Sequence, residues 1–376
     1  MSRDPSINIA NLIEQLSKIP QELSSKDRSD IILQHCKDLR LLSIVVPKSF
    51  GGEEYALKDV VKLVFSISKT SASAGLIYAM HLSQLLCLVR HGNTTFLQEC
   101  LQKLSDEQGL IASVTSEIRV GGDIFGSQCH ILEKGDALLL EKSTPNISYA
   151  DTAGAFLITA MDLRIKKPTQ RLIYVLKEQA ELVVLHRNSF LGMQGISNGS
   201  YKIQANFSED AIFSDNFPLI ARETMTPTTH ILWAALWSGI ASHVIEVCRR
   251  FISKELESNS NIQQYMSFKL SELVNLHHTM NSLIRDSLHT WESSKSSSIG
   301  FSAAAQYNRL KIICSETLNG ICYQALNICG LRGYAEDGPY SLAEAIRDAL
   351  SAPLMVSNYR LMQNTLAVEK FVQEEP

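Results

Sequence analysis

Apolar residues in the first part of the chain recur at spacings of three and four, which is the period of an amphipathic helix. The pattern predicts helices at Asn11–Ile19, Ile31–Leu42, Leu57–Ser68 and Ala74–His91. A proline and a Gly-Gly pair in Val46–Gly52 mark a loop between two of them. We therefore expect an all-helical N-terminal domain over residues 1–109.

After Leu110 the helical period gives way to short alternating or β-branched runs, separated by Gly, Asp, Asn and Ser. Such runs are typical of strands joined by tight turns. The pattern predicts a middle antiparallel β domain over residues 110–224. The expected strands are Ile111–Thr115, Cys129–Leu132, Ala137–Glu141, Ala155–Ala160, Leu172–Leu176, Leu182–His186 and Tyr201–Phe207.

Helical periodicity returns near Thr226 in long segments that predict a four-helix bundle over residues 225–376. The fold class expected from this order is α+β, with a β domain between two helical ones. The predicted bundle helices are His230–Ile252, Ile262–Trp291, Ala303–Cys329 and Leu342–Val372.

Charge and composition exclude several classes of partner. The 376 residues carry 35 Lys plus Arg against 39 Asp plus Glu, so there is no basic field to attract nucleic acid or an anionic membrane. The first residues lack an apolar signal core, and no uninterrupted apolar run reaches the roughly 20 residues of a membrane span. We expect a soluble, cytoplasmic protein. Its eight dispersed cysteines form no C-x-x-C pair, which predicts reduced thiols and no metal site.

The most distinctive motif lies near the C-terminus. Cys329–Tyr334 is rich in glycine, Gly338-Pro339 follows, and Arg347-Asp348-Ala349 stands in a helical run. This order resembles the acyl-CoA dehydrogenase superfamily, in which a GG-x-G-[FY] turn precedes an R-D-A helix. The resemblance implies a flavoprotein oxidoreductase that acts on the CH–CH group of an acyl thioester, carried by CoA or by an acyl carrier protein.

Two segments of the β region resemble the family's flavin-binding segments. Ala112–Asp123 resembles [YF]-x-x-T-E-P-x-x-G-S-D, which implies cofactor contacts by Thr115, Ser116 and Gly122. Thr144–Ala150 resembles K-x-W-I-[ST]-N-A, which implies contacts by the residues at its centre. The cofactor implied is FAD, with FMN as the alternative. The central residues are Ile147 and Ser148, while Asn146 replaces the family's Trp.

The C-terminal motif implies further cofactor contacts, by Gly330 and Gly333 in the turn that meets the flavin and by Asn327 near the adenine-nucleotide half. Family members usually assemble as tetramers, or dimers of dimers, through the C-terminal bundle, so a homo-oligomer is implied, either a tetramer or a dimer. Phe251–Leu256 departs from the R-x-x-F-G pattern that would add an arginine there. The remaining partner implied is an electron acceptor or a flavin reductase.

The family's catalytic glutamate is missing from both of its known positions. Val356 stands at the first, where its backbone N–H can still face a substrate carbonyl, and Thr229 stands at the second. His81 and His230 are the candidate replacements, because an imidazole titrates near neutral pH. An ordinary structural role stays open for both histidines.

Two other functions remain open because of this loss. A flavin-dependent monooxygenase of the same fold needs no base for an α-proton. A non-catalytic binding protein needs neither a base nor, if the altered cofactor contacts are too weak, a flavin.

Overall fold

The computed structural model describes residues 5–20, 22–118, 124–135, 137–256, 260–293 and 301–369. The chain before the first strand is helical, and each predicted helix there is present within a few residues of its expected bounds. A further helix, α5, follows the fourth predicted one. The helices are α1 (Pro5–Ser17), α2 (Ser25–Asp38), α3 (Leu57–Thr70), α4 (Ala72–His91) and α5 (Thr95–Glu107).

Helix α4 is the central helix of this N-terminal part. Its sequence is apolar on nearly all sides, and a helix of that kind is stable in water only when it is enclosed. Ser71 caps its start, because the Ser71 hydroxyl accepts a hydrogen bond from the backbone N–H of Ala74. Of the most apolar window in α4, 83% is buried inside the protein, as expected for a core helix.

The strands form two four-stranded sheets, with orders β1-β4-β5-β8 and β2-β3-β7-β6. Strands β1 and β4 pair in parallel, whereas the other strand pairs are antiparallel. The expectation of an antiparallel β domain is therefore corrected for this one pair. The long connection between β1 and β4 contains the β2–β3 pair of the other sheet, and a parallel pair requires such a crossover. The strands are β1 (Ile111–Val114), β2 (Leu132–Lys134), β3 (Ala137–Ser148), β4 (Ala155–Asp162), β5 (Thr169–Leu176), β6 (Ala180–Asn188), β7 (Asn198–Phe207) and β8 (Ile212–Asn216).

Three long helices dominate the C-terminal part, and the fourth predicted helix is broken in two. Pro353 has no N–H to donate, and Val356 has a φ of +52°, a backbone conformation that is unfavourable for a β-branched residue. The segment 351–357 is therefore a loop. The helices are α6 (Phe217–Ile220), α7 (Thr226–Glu255), α8 (Asn261–Ser293), α9 (Phe301–Tyr334), α10 (Ala343–Leu350) and α11 (Asn358–Glu369).

Helix α10 packs directly on the loop between β6 and β7. A Cβ atom at Gly192 would lie 2.1 Å from the carbonyl oxygen of Arg347, so only glycine fits at this contact. The backbone N–H of the next residue, Met193, donates to the buried carboxyl of Asp348. The R-D-A motif is thus a structural link between the C-terminal helices and the strands.

The eight cysteines are buried and unpaired, in agreement with the sequence prediction. Two of them, Cys248 on α7 and Cys329 on α9, have sulfur atoms 3.9 Å apart. Burial raises the pKa of most of these thiols, including Cys36 to about 12, so they act as small apolar side chains in the core.

Candidate functional site

A polar strip runs along the β region where β1 and β3 end. We use this name for Thr115, Ser116, Asn146, Ser148 and Asn198. The Ser116 hydroxyl donates to the carbonyl of Asn146 over 3.3 Å, and the Ser148 hydroxyl donates to Asn198 Oδ1 over 2.8 Å. Except for the more deeply buried Asn198, the members of the strip are half-buried, with their polar atoms at the edge of the protein.

The polar strip fits the hydrogen-bonding edge of a flavin. Hydroxyl groups both donate and accept, so Thr115, Ser116 and Ser148 can match ring nitrogens and carbonyls of either polarity. Ile147 is buried beside them and adds apolar support. The four β-region cofactor contacts that the sequence predicts within the described residues stay a prediction, and their chemistry suits it. Gly122 lies outside the described residues.

Asn146 fills the position of the family's tryptophan and is fixed by its neighbours. Its amide nitrogen donates to Asn198 Oδ1 over 3.1 Å, and its amide oxygen accepts from Asn188 Nδ2 over 3.0 Å. The small polar side chain of Asn146 thus stands where the family has an aromatic ring. Asn198 is not among the cofactor contacts that the sequence predicts, and its part in the network depends on the pairing of β3 with β7.

A second group of residues surrounds Lys311 of α9, whose side chain is fully buried. Its ammonium donates to Asn358 Oδ1 over 2.6 Å and to the carbonyls of Val356 over 2.8 Å and Pro353 over 3.5 Å. These three acceptors lie in the loop that separates α10 from α11 or at its end. Lys311 therefore holds that loop, and with it Val356, in a defined conformation.

Burial lowers the pKa of Lys311 to about 7, although the nearby Glu316 opposes this effect. The Trp237 ring also lies near the ammonium, with its centroid at 5.8 Å. In the sequence, a basic residue within the apolar run Leu310–Cys314 already indicates a buried cation, but this signal did not enter the sequence prediction.

His230 lies close to this group but is poorly suited as a base. Its Nδ1 is 3.1 Å from the carbonyl oxygen of Tyr307, so Nδ1 carries the proton and Nε2 keeps the lone pair. Burial, and after it the positive charge of Lys311, lowers the pKa of His230 to about 3. A general base needs a pKa near the working pH, and His230 is far below it.

His81 has a structural position that does not suit a catalytic base. Its Nε2 donates to the carbonyl of Leu42 over 2.7 Å, and its Nδ1 accepts from the backbone N–H of Ile111 over 3.0 Å. Both ring nitrogens are thus occupied by backbone, and burial lowers the ring's pKa to about 4. Of the two roles that the sequence left open for His81, these contacts favour the structural one, in which the residue joins α4 to the first strand.

The glycine-rich turn lies at the exposed end of α9. Gly330 interrupts that helix with a φ of +58°, and Asn327 is exposed one turn earlier. Gly333 is buried, and a Cβ there would lie 2.7 Å from Cys329 Cβ. Among the described residues no hydrogen bond or ion pair joins this turn to the polar strip.

Glu255 modifies the charge of this turn. It forms an ion pair with Arg332 and accepts a hydrogen bond of 2.8 Å from the Tyr340 hydroxyl. Both partners lower the pKa of Glu255, so its carboxylate is ionised and neutralised locally. The turn therefore presents no excess positive charge from Arg332 to a phosphate.

The predicted site residues fall into separate groups. Val356 and His230 both lie near Lys311, and Thr115, Ser116, Ile147 and Ser148 belong to the β-region surface. Asn327, Gly330 and Gly333 form the exposed turn. Neither Val356 nor Thr229 supplies a carboxylate, so the described residues contain no acidic base at either expected position.

Sequence comparison gives matches to acyl-CoA dehydrogenases, whereas no family model matches. The chain is 29% identical over 135 residues to mitochondrial isovaleryl-CoA dehydrogenase of Bos taurus, a match that spans 34% of this chain and 31% of the relative. It is 18% identical over 333 residues to cyclohex-1-ene-1-carbonyl-CoA dehydrogenase of Geobacter metallireducens, spanning 86% of each chain.

Structural comparison finds the same fold over nearly the whole chain. A glutaryl-coenzyme A dehydrogenase complex with glutaryl-CoA superposes with a TM-score of 0.83 at 15% identity, covering 99% of this chain and 96% of the other. The prolyl acyl carrier protein oxidase AnaB gives 0.81 at 15%, covering 98% and 99%. Indole-bound TdsC from Paenibacillus sp. A11-2 gives 0.80 at 14%, covering 95% and 94%.

The fold is therefore that of the acyl-CoA dehydrogenases, as the sequence motifs predicted. The sequence matches are likewise to acyl-CoA dehydrogenases, in line with the resemblance that the motifs carry, although this chain has Val356 where the family's catalytic glutamate would stand.

Replacing His81 tests its structural role. In His81→Ala the Leu42 carbonyl and the Ile111 N–H lose their buried partner, and we expect unfolding to require about 3 kcal/mol less free energy. His81→Gln should recover part of this loss, since an amide supplies both a donor and an acceptor. Urea denaturation measures both effects, with the exposed His186→Ala as control. Unchanged stability in His81→Ala would contradict this role.

The buried amine of Lys311 predicts a pH dependence of stability. Its pKa of about 7 in the folded protein lies below the ordinary 10.5, so between these values only the unfolded chain binds the proton. Raising the pH from about 7 to about 9 should therefore increase stability through Lys311, by an amount on the order of 1 kcal/mol or more.

The variant Lys311→Met removes this contribution and leaves the loop carbonyls without a partner. We expect it to be less stable than the wild type, and the difference to grow as the pH rises. Urea denaturation at several pH values measures this, with the exposed Lys254→Met as control. A pH-independent difference would show that Lys311 titrates normally.

Proposed function

We propose that the protein is a flavoprotein oxidoreductase that acts on the CH–CH group of an acyl thioester, carried by CoA or an acyl carrier protein. The observation that carries the proposal is the half-buried polar strip on an acyl-CoA dehydrogenase fold. Thr115, Ser116, Ile147 and Ser148 would hold the flavin, with FAD favoured over FMN because Asn327, Gly330 and Gly333 form a turn suited to an adenine nucleotide.

A bound flavin would supply hydride acceptance, and the chain's own residues would bind and orient the thioester. Lys311 fixes the loop 353–358, so the backbone of Val356 is held in place before a substrate arrives. Prearranged backbone N–H groups stabilise charge that develops on a substrate oxygen. The buried side chains of Trp233 and Trp237 keep water away from this loop.

The missing carboxylate supports a second candidate function. Removal of an α-proton needs a base. Val356 and Thr229 carry no carboxylate, and burial lowers the pKa of His81 to about 4 and that of His230 to about 3. A flavin monooxygenase of the same fold, which would use a flavin reductase as partner, does not require one. The dibenzothiophene monooxygenase TdsC is among the structures that share this fold.

A flavin spectrum with and without a thioester tests the proposal. We expect the purified protein to bind FAD and its visible absorbance to bleach anaerobically when an acyl thioester is added. Ser116→Ala and Ser148→Ala should lower flavin occupancy, while Thr152→Ala, which loses a hydrogen bond within a nearby turn, should not. A protein that stays colourless with excess FAD would rule out both flavin functions.

The substitution Val356→Glu gives the sharpest form of this test. It restores a carboxylate at the family's position, and a well-placed base raises the rate of proton transfer by about 100-fold or more. Leu354→Glu, in the same loop but 78% exposed, is the matched control. No gain in Val356→Glu, together with oxygen consumption driven by a reductase and NADH, would favour the monooxygenase.

We also propose that the protein is a homo-oligomer. Tyr323, Leu331 and Tyr334 are 70%, 85% and 74% exposed. Tyr323 and Asn327 are one turn apart on the same side of α9, and Leu331 and Tyr334 follow just beyond the break at Gly330. Exposed apolar surface of this kind marks an association site. An adenine contact by Asn327 would then be made to the cofactor of a neighbouring subunit.

Introducing charge into this surface should dissociate the oligomer. We expect Tyr323→Glu combined with Leu331→Glu to reduce the molar mass measured by light scattering to that of a single chain, 41.8 kDa. Leu163→Glu, at an exposed apolar position in the turn between β4 and β5, is the control. A wild-type protein that is already monomeric would overturn the proposal.

A further inference from the structure

A cavity of about 810 Å³ lies beside α10. Its walls come from the start of α2, the junction of α3 with α4, the middle of α7, the segment that leads into α10 and α10 itself. None of the predicted cofactor or catalytic residues lines it. Its lining includes Arg28, Lys69, Ile240, His243, Arg250 and Glu344.

His243 is the central polar group of this cavity. Within the described residues its ring has no hydrogen-bond partner, although it is mostly buried and lines the wall. Burial, and after it the charge of Arg250, lowers the ring's pKa to about 4, with Lys69 and Arg28 acting in the same direction. A neutral imidazole with unused hydrogen-bonding capacity thus faces a region where cations outweigh the opposing Glu344.

Most acidic groups of the lining are neutralised locally. Glu344 is engaged by an ion pair with Arg28, and Glu336 by an ion pair with Arg347. Burial raises the pKa of Asp348 to about 7, which reduces its negative charge near neutral pH. The other acids, Glu22 and Asp337, are exposed like Lys69 and Arg250, so water screens all four charges and an anion is favoured only where it contacts the two cations directly.

The cationic side of the cavity is accessible to a ligand. Lys69 and Arg250 are exposed, and Arg250 makes a long contact of 3.4 Å to the Pro339 carbonyl. Helix α3 ends and helix α4 begins at this wall, so their opposite dipole ends offset each other and the two side chains supply the positive charge. Ile240 and Val247 provide an apolar wall beside these groups.

We propose that this cavity binds a small organic anion, with its carboxylate or phosphate held by Lys69, His243 and Arg250 and its apolar part against Ile240 and Val247. The volume suits such a ligand, because small-molecule sites commonly enclose about 300 to 1,000 Å³. The site is separate from the polar strip, so it does not depend on flavin binding or on the proposed reaction.

Calorimetric titration of the full-length protein tests this proposal with three probes of similar size. Phenyl phosphate and benzoate carry the two anionic head groups, and benzyl alcohol is the neutral control. We expect at least one anion to bind and the alcohol to bind at least about tenfold more weakly, since hydrogen bonds to charged groups are the stronger ones. The tighter anion identifies the preferred head group.

Variants locate the binding. Lys69→Ala and Arg250→Ala change exposed side chains, so the protein should fold normally, and each should weaken the tighter anion about tenfold. Lys62→Ala on the same helix as Lys69 is the matched control and should not change affinity. His243→Leu should also weaken binding, and thermal unfolding checks that it remains folded. Failure of both anions to bind, or equal affinity in Lys69→Ala and Lys62→Ala, overturns the proposal.

Discussion

A buried cation in an apolar bundle must be given acceptors, and in this protein that requirement determines the shape of the C-terminal region. Lys311 has no access to water, so the chain brings the carbonyls of Pro353 and Val356 and the amide oxygen of Asn358 to it. Continuous helix between α10 and α11 would direct those carbonyls along its own axis. The break in the helix is therefore what supplies the buried ammonium with its hydrogen-bond acceptors.

The same principle explains where sequence reasoning succeeded. Apolar periodicity depends only on which face of an element is buried, so it located the long helices and most strands. The glycine turn at Gly330 and the R-D-A motif follow local backbone rules, and they indicated the fold correctly. The parallel pairing of β1 with β4 depends on contacts between distant segments, which no local pattern encodes.

The candidate site was only partly predictable for a related reason. Resemblance predicts Thr115, Ser116, Ile147 and Ser148 as cofactor contacts, because they stand in short recognisable motifs. It could not show that both nitrogens of His81 are occupied by Leu42 and Ile111, since those partners are distant in sequence. An imidazole in an apolar helix has the same local sequence signal whether it serves catalysis or holds two backbone groups together.

The contact between Gly192 and Arg347 has a mechanical consequence. Backbone meets backbone there, and the next residue is fastened to Asp348, so neither side chain rearrangement nor a water layer can absorb relative motion. Helix α10 and the β6–β7 loop must shift together or not at all. A displacement of α10, whether it starts at the cavity or at the Val356 loop, would thus move the β6–β7 loop and the strands that it joins by a similar distance.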